Sequence, residues 1–339
     1  MRTYNPDAVQ YRFLIMLPGA TKDITKLIGR ASDTHTKDGI SKNVDMTIKN
    51  IKEGSKWIHS DLYLGKTIKI EAKDETKNWT EVFRGIVTKW GTMASDFTID
   101  ITVEDANNVI PKSDGAYFFD GKTNGASRIK RMIQDIGLPV GKIDGPSVKL
   151  SKKMVNGSVS AEILEILEES AEKENKHYYV RSNKGAFEVV ARGSNSEIYV
   201  LDSHTSSSGS DEHSISRDYA NVVKIYGNKE EGKMPVLSST VTGDTKYGRI
   251  QKVIYKSDYD TAGEANSAAK TILNKNSKPE IKQTVDHVDI PWIQLGDAVD
   301  VMVGTVGSMK DGKQVPVRRY VEAITRNYKD GTMILEVVS

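Results

Sequence analysis

The sequence predicts an α+β protein that is mainly β, with two related β-barrel modules separated by an α+β insert. Apolar and polar residues alternate through most of the chain outside its middle third, as in strands that bury one face. Three sequence blocks of the first β region also recur, in the same order, near the C-terminus. Since a solenoid needs three or more repeats, two copies indicate two similar domains.

The internal repeat consists of three pairs of segments. They are LGKTIKI (64–70) with LGDAVDV (295–301), FRGIVTK (83–89) with YVEAITR (320–326), and the closing strands 97–104 with 333–337. The first pair is separated by 231 residues and the second by 237, which places six additional residues around 304–312. Apolar and polar residues alternate in any two β-meanders. The interpretation as a repeat therefore rests on the shared order of the three blocks and on the Leu-Gly pair that opens each copy.

Composition excludes several classes of function. The 339 residues contain 48 basic and 46 acidic side chains, a net charge of +2, which predicts no tight nucleic-acid binding and no anionic membrane partner. The absence of cysteine excludes disulfides, thiolate nucleophiles and zinc–thiolate sites. No apolar run approaches the ~20 residues of a membrane span, and Phe13–Leu17 is too short for a signal peptide. We expect the protein to be made and kept in the cytosol, or to leave it by a route that needs no signal peptide.

Residues 1–110 are predicted to form the first β-module, because short alternating segments are interrupted by turn residues. The predicted strands are Arg12–Leu17, Val44–Ile51, Thr67–Ala72, Val82–Lys89 and Phe97–Glu104. The polar segment Ile24–Gly39 is predicted to be a loop.

Residues 111–202 are predicted to form a small α+β domain. Ile129, Met132 and Ile133 keep helical spacing, and the helix is expected to end at Gly137. A second helix is predicted from Ser160, with Val159 before it as part of a hydrophobic staple. A β-hairpin is predicted across residues 178–191, with its turn at 183–185.

The last part of the chain is predicted to be a Ser-rich linker, 203–216, followed by the second β-module, 217–339. This module is expected to begin with a strand at 221–226 and to contain an inserted hairpin and helix at about 230–278. The hairpin strands are predicted at 236–241 and 249–255. Thr261 and Glu264 match a capping box, and the helix that follows has a mostly alanine face.

Several residue patterns resemble functional sites without matching their spacing, so we predict no catalytic, cofactor or metal residues. Gly121-Lys122-Thr123 precedes a helix as in a P-loop, but Ala116 stands where the first glycine is needed. Asp202 with His204, and Asp211 with His213, contain metal-ligating side chains in a polar segment that does not fix their geometry. Whether this Asp/His segment binds an ion stays open.

The four tryptophans, Trp57, Trp79, Trp90 and Trp292, fit two interpretations. On an open face they would form a sugar-binding platform, whereas within the β-modules they would be core or interface aromatics, which we favour. No HExxH or GxSxG motif is present.

Taken together, the β-module, the α+β insert, the alanine-faced helix and the entry Ile290-Pro291-Trp292-Ile293-Gln294-Leu295-Gly296-Asp297 resemble the baseplate hubs of contractile phage tails. The resemblance covers nearly the whole chain. It is closest to hub proteins of the XkdQ/YqbQ type from defective Bacillus prophages and to those of clostridial phage-tail-like bacteriocins. Its most specific parts are the Leu-Gly-Asp-x-Val-x-Val and Phe-Arg-Gly-Ile-Val blocks, and neither block is a catalytic signature.

This resemblance implies a homotrimer in which each chain carries two tube-like β-domains. Three chains would then form a pseudo-sixfold ring that joins a hexameric tail tube to a trimeric spike in a phage or phage-tail-like particle. Other baseplate or LysM-type tail proteins are further expected partners. The rival hypothesis is a cell-wall-degrading or carbohydrate-binding component of the same particle. No hydrolase segment follows the second module before Ser339, which favours a structural hub.

Overall fold

The computed structural model describes residues 9–75, 77–93, 97–217, 219–227, 232–258, 261–304, 306, 308–310 and 313–339. The fold is mainly β, as predicted, and the described residues contain three α-helices. The chain divides into two compact units. The first is built from residues up to Ser210 and from Gln283 onward, and the second from Asp211–Lys282.

The described residues of the N-terminal region form nine strands. They are β1 (Gln10–Leu17), β2 (Ala20–Asp23), β3 (Ile28–Thr36), β4 (Asn43–Lys49), β5 (Lys52–Glu53), β6 (Lys56–Trp57), β7 (Thr67–Lys73), β8 (Thr80–Met93) and β9 (Thr98–Asp105). All five predicted strands are present. The prediction of a loop at Ile24–Gly39 is wrong, because β3 lies within it. Its inward positions are Ala31, Asp33 and His35, so the strand has no apolar alternation to mark it.

The α+β domain follows. Its elements are β10 (Asp114–Phe119), α1 (Gly125–Asp135), β11 (Val140–Ile143), β12 (Lys153–Ser158), α2 (Val159–Glu174), β13 (Tyr178–Asn183) and β14 (Ala186–Ala191). Both helices and the β13–β14 hairpin occur where they are predicted. The N-cap of α2 is Ser158, whose side chain accepts the Ala161 N–H, so Val159 is the first helical residue rather than the staple residue before the cap.

Two strands lead from this domain to the second compact unit. They are β15 (Tyr199–Asp202) and β16 (Ser206–Ser214). The segment 203–216 is therefore not an unstructured linker. Serine, glycine and acidic residues disfavour strands by propensity, so pairing with a neighbouring strand outweighs propensity here.

The second compact unit is a three-stranded sheet with one helix. Its elements are β17 (Val222–Tyr226), β18 (Leu237–Thr242), β19 (Gln251–Tyr255) and α3 (Ala262–Asn276). Both halves of the capping box at Thr261 and Glu264 are formed, as predicted. The small side chains of Ala265 and Ala269 let α3 pack closely on Val223 of β17. The predicted hairpin is wrong, because β18 and β19 lie on opposite sides of β17 and do not pair with each other.

The remaining strands complete the large sheet. They are β20 (Glu280–Val288), β21 (Ala298–Met302), β22 (Ser308–Lys310), β23 (Lys313–Val315), β24 (Val317–Asn327) and β25 (Thr332–Val338). The predicted insertion around 304–312 overlaps the β22–β23 hairpin, and residues 305, 307, 311 and 312 of it lie outside the described residues.

Thirteen strands form one curled, half-barrel sheet in the order β16-β20-β25-β24-β3-β4-β9-β8-β7-β1-β2, with β21 paired to β24 and to β15. The strands of the two predicted modules thus share one sheet instead of closing into two separate barrels. Two apolar clusters nevertheless lie on it. One surrounds Ile68, Val87 and Ile101, and the other surrounds Val299, Val321 and Leu335.

Candidate assembly interface

The Leu-Gly turns that open the two repeated segments make the same hydrogen bonds. At the first turn, the Gly65 N–H donates to Val87 O at 2.9 Å and the Val87 N–H donates to Lys66 O at 2.9 Å. At the second turn, Gly296 donates to Val321 O at 2.8 Å and Val321 donates to Asp297 O at 3.0 Å. Both glycines have positive φ, 77° and 75°. Each turn therefore holds the strand that carries the second repeated segment, β8 or β24, through the same pair of backbone hydrogen bonds.

The strands that follow these turns also share order and register. We call β3, β4, β7, β8 and β9 the first half-sheet, and β16, β20, β21, β24 and β25 the second half-sheet. Val87 lies opposite Val103 in the β8–β9 pair, and Val321 lies opposite Val337 in the β24–β25 pair. Directly after each of these pairs the register shifts by one residue, as in a β-bulge. Both half-sheets thus bend at the same place.

This correspondence corrects the alignment of the middle block. Val321 is the counterpart of Val87, a separation of 234 residues and not the 237 predicted from sequence. The bulge explains the error, because it places Ala323 and Ile324 both in buried positions and so breaks the alternation used to align the strands. In the closing strands, Ile101 pairs with Trp90 and Leu335 pairs with Ile324, and each of these partners lies three residues after Val87 or Val321.

The outermost strands of the two half-sheets carry a repeated motif that the sequence analysis missed. In β3, Ala31 lies opposite Met46 and Ser32 opposite Asp45 of β4. In β16, side chains of Ser208 and Ser210 contact Asp286 and Thr284 of β20. These pairings align Ser32-Asp33-Thr34-His35-Thr36 with Ser210-Asp211-Glu212-His213-Ser214. The shared Ser-Asp-x-His pattern agrees with the alignment obtained from strand pairing.

The two half-sheets meet where β24 pairs with β3. This junction is antiparallel, with Ile324 opposite His35 and Arg326 opposite Asp33. The Lys37 N–H donates to Glu322 O at 2.8 Å, which extends the ladder at one end. Only the second half of β24 takes part, since its first half, Val317–Tyr320, pairs with β21. The junction thus begins directly after the bulge.

A buried cluster of polar side chains lies at this junction. Arg326 is 4 % exposed, and its Nε donates to Asp289 Oδ1 at 3.0 Å. Asp33 is 2 % exposed, and Lys42 Nζ contacts its Oδ2 at 2.6 Å. The hydroxyls of Tyr328 and Tyr11 donate to Asp33 and Asp289, respectively. Two cations thus face two carboxylates, and each carboxylate has a tyrosine partner, as a buried ionic cluster requires.

The electrostatics of the cluster follow from burial and from the number of cations at each acid. Burial opposes ionisation of Asp33, but Lys42 and Arg326 outweigh it, so its pKa is lowered. Burial raises the pKa of Asp289, and Arg326 offsets this only in part. Burial, reinforced by Lys42, lowers the pKa of His35 to about 3. The imidazole of His35 is therefore neutral at pH 7.

Both half-sheets also have an edge without a partner strand in the part of the chain that the structure describes. In β8, residues up to Ile86 pair with β7, whereas Lys89–Met93 pair only with β9. This segment is the counterpart of the part of β24 that pairs with β3. Among the strands that the structure describes, β16, the counterpart of β3, pairs only with β20. Free main-chain groups on such edges are templates for another strand.

The residues singled out as possible sites have ordinary structural roles. Gly121, with φ of 80°, forms a turn between β10 and α1. Asp202 accepts the His204 N–H at 2.9 Å and the Thr205 hydroxyl at 3.1 Å, which uses its carboxylate in a turn. Asp211 Oδ1 lies 3.1 Å from His213 Nε2, so these two side chains are neighbours on β16. Within the described ranges, no group of three or more metal-ligating side chains comes together.

The tryptophans are distributed over the first unit and contact cations or other rings. Lys77 Nζ lies 4.2 Å from the ring of Trp292, and the Arg12 guanidinium lies 4.6 Å from that of Trp79. Tyr63 meets Trp90 edge-on at 5.3 Å.

Among the described residues, no helix is long and apolar enough to cross a bilayer.

This fold is found in phage tail proteins. A 43 kDa tail protein of prophage MuSo2 from Shewanella oneidensis aligns over 97 % of this chain and 98 % of its own, with a TM-score of 0.67 and 14 % identity. At the level of sequence, the uncharacterized protein YqbQ of Bacillus subtilis is 26 % identical over 68 % of this chain and 71 % of that protein. XkdQ of the phage-like element PBSX, also from Bacillus subtilis, is 23 % identical over the same shares.

The particular family follows from a family model. The model described as YQBQ-like matches residues 34–338, and the chain belongs to the YQBQ-like family. The match includes the first half-sheet from residue 34 onward, the α+β domain, the second compact unit and the second half-sheet.

Proposed function

We propose that this protein is a structural baseplate hub of a contractile tail and that it has no catalytic role. Three chains form a ring with pseudo-sixfold symmetry, and this ring joins a hexameric tail tube to a trimeric central spike. The contribution of the chain is geometric, because two similar half-sheets on each of three chains give six similar positions around the ring. Other baseplate or LysM-type tail proteins would attach around it.

The observation that carries this proposal is the correspondence between the two half-sheets. They share turn hydrogen bonds, strand order and the position of the bulge, and they are joined edge to edge by β24 and β3. A hexameric tube ring offers six equivalent surfaces, which a trimer can match only if each chain presents two similar surfaces. Membership in the YQBQ-like family and the fold of phage tail proteins support this assignment.

The buried junction fits a part that transmits load. Arg326, Asp33 and Asp289 tie β24, β3 and the segment before β21 together in the interior. Separating the half-sheets would require breaking the β24–β3 ladder and these buried ion pairs together. The two positions that each chain presents are therefore held in fixed relation.

The proposal is tested by the mass of the purified protein and by its binding to a tail tube. Light scattering should give three times the chain mass of 37.5 kDa. Electron micrographs of the protein mixed with its tail tube protein should show it at one end of each tube. A protein that remains monomeric at all concentrations and leaves tube ends bare contradicts the proposal. A peptidoglycan-clearing assay separates it from a cell-wall hydrolase, since a hub should leave the peptidoglycan intact.

A further inference from the structure

We propose that β16 of one copy pairs antiparallel with residues 89–93 of β8 in a second copy of this chain, so that the junction between chains repeats the junction within each chain. This inference rests on the proposed function, because it needs an oligomer, and it specifies which edges meet and in which register. The partner is a second copy because the chain itself contains the matching edge. At the junction within the chain, a β16-like strand, β3, already pairs with a β8-like strand, β24.

The register follows from the two alignments between half-sheets. Ile324 lies opposite His35, and Arg326 lies opposite Asp33. Residues of β24 lie 234 positions after their counterparts in β8, and residues of β16 lie 178 positions after theirs in β3. We apply these two offsets to the pairs of the β24–β3 junction. In the junction between chains, Trp90 then lies opposite His213, and Thr92 lies opposite Asp211.

Backbone direction supports the same pairing. The Lys37 N–H donates to Glu322 O, and the Tyr328 N–H donates to Ala31 O. Because amides alternate in direction along an antiparallel strand, Ile324 and Arg326 also direct their main-chain groups toward β3. Their counterparts, Trp90 and Thr92, therefore present N–H and C=O groups at the free edge of β8.

The side chains are compatible across the proposed pair. Gly91 lies opposite Glu212, and Lys89 lies opposite Ser214. Lys89 and Glu212 are then diagonal neighbours on one face, and both are exposed in the single chain. Opposite charges at such positions favour pairing, modestly, in a solvated sheet. The directly opposed pair Gly91 and Glu212 corresponds to Thr325 and Thr34 within the chain, whose hydroxyl oxygens are 3.4 Å apart.

Disulfide trapping tests the pairing directly, because the chain has no cysteine of its own. The test variant combines Gly91→Cys with Glu212→Cys. This pair is not hydrogen-bonded in the proposed register, so its Cα atoms should lie about 4.5 Å apart, which is within disulfide range. A side chain fits at position 91, where the nearest atom to an added Cβ is Asp100 O at 4.0 Å. We expect mild oxidation to give covalent dimers and trimers on non-reducing gels.

Two matched variants calibrate the experiment. Thr34→Cys with Thr325→Cys occupies the corresponding positions within one chain and should form its disulfide without any increase in chain mass. Gly91→Cys with His213→Cys moves one thiol to the opposite face of the sheet and should give little intermolecular product. A trimer by light scattering that fails to crosslink through positions 91 and 212 overturns this inference but leaves the proposed hub intact. A protein that is monomeric and does not crosslink overturns both.

Proline provides a second, independent test at the same edge. Thr92→Pro removes an N–H that the proposed pairing uses, and it leaves the ladder to β9 formed because that N–H points away from β9. Thr92→Val keeps the N–H and serves as the control. We expect the proline variant to fall from three chains to one in light scattering while its circular dichroism matches that of the valine variant. A proline variant that is folded and still trimeric overturns the pairing.

Discussion

Strands β3 and β16 have corresponding positions and a shared Ser-Asp-x-His motif, but their surroundings differ. Asp33 and His35 of β3 are 2 % and 8 % exposed, because β24 covers that edge. The side chains of Asp211 and His213 of β16 are 22 % and 56 % exposed. The same polar pattern thus occurs at a covered edge and at an open edge. Polar residues on a strand therefore do not by themselves indicate a solvent-facing segment, and in β3 they belong to the strand that joins the two half-sheets.

Replacing Arg326 should have the largest effect on the covered junction. Arg326→Met keeps much of the side-chain volume but removes the guanidinium that pairs with Asp289 and one of the two cations at Asp33. Since a buried ion cluster that loses one partner typically costs 3–5 kcal/mol, we expect a loss of about that size in the free energy of unfolding. Urea unfolding followed by circular dichroism measures it. A loss below about 1 kcal/mol would show that the junction does not depend on this cluster.

The two Leu-Gly turns offer a second comparison, because they have the same backbone but different neighbours. Alanine at Gly65 should cost about 1–2 kcal/mol for its positive φ alone, since an added Cβ there would have no atom within 4 Å. At Gly296 the added Cβ would lie 2.5 Å from Tyr179 Cδ2, so overpacking should add about 1–3 kcal/mol. Urea unfolding of both alanine variants tests this. Equal losses of unfolding free energy in the two alanine variants would mean that Tyr179 moves aside without cost.

The pH dependence of stability should reveal the buried histidine of β3. An unfolded His35 takes up a proton below its ordinary pKa of about 6.5, whereas the folded protein does so only near pH 3. The unfolded state therefore binds more protons between these values, and stability falls as the pH is lowered, by about 1.4 kcal/mol per pH unit. Lowering the pH from 6.5 to 5 should therefore cost about 2 kcal/mol through His35.

The measurement compares wild type with His35→Gln across this range. Asp105 works in the opposite direction, because burial raises its pKa to about 6 and the folded state then gains protons as the pH falls. It is present in both proteins, so the difference between their unfolding free energies isolates His35. Thr34→Val, an exposed neighbour that does not titrate, is the control. Parallel curves for wild type and His35→Gln would contradict a buried neutral imidazole.

The sequence predicts the apolar part of this fold well. Strands β1, β4, β7, β8 and β9 and helices α1, α2 and α3 follow from apolar periodicity and caps, since each buries an apolar face. Apolar periodicity could not identify β3 and β16, because Asp and His occupy positions where an apolar residue would mark the buried face of a strand. The Ser-Asp-x-His repeat was visible in the sequence and would have identified both. Nothing in the sequence linked Arg326 to Asp33, since the sheet pairing alone brings them together.

The smallest expected effect lies on the solvated part of β24, in contrast to Arg326 on the same strand. Arg318 Nε contacts Asp300 Oδ1 at 2.6 Å, and the Arg318 side chain is 46 % exposed. Exposed pairs of this kind contribute about 0–1 kcal/mol, because water screens the charges and the long side chain loses entropy when it is held. Arg318→Met should therefore change the unfolding free energy by less than about 1 kcal/mol, and the change should shrink further at 1 M salt. Equal losses for Arg318→Met and Arg326→Met would mean that burial does not distinguish the two ends of β24, and the buried cluster would then have no special role in holding the half-sheets together.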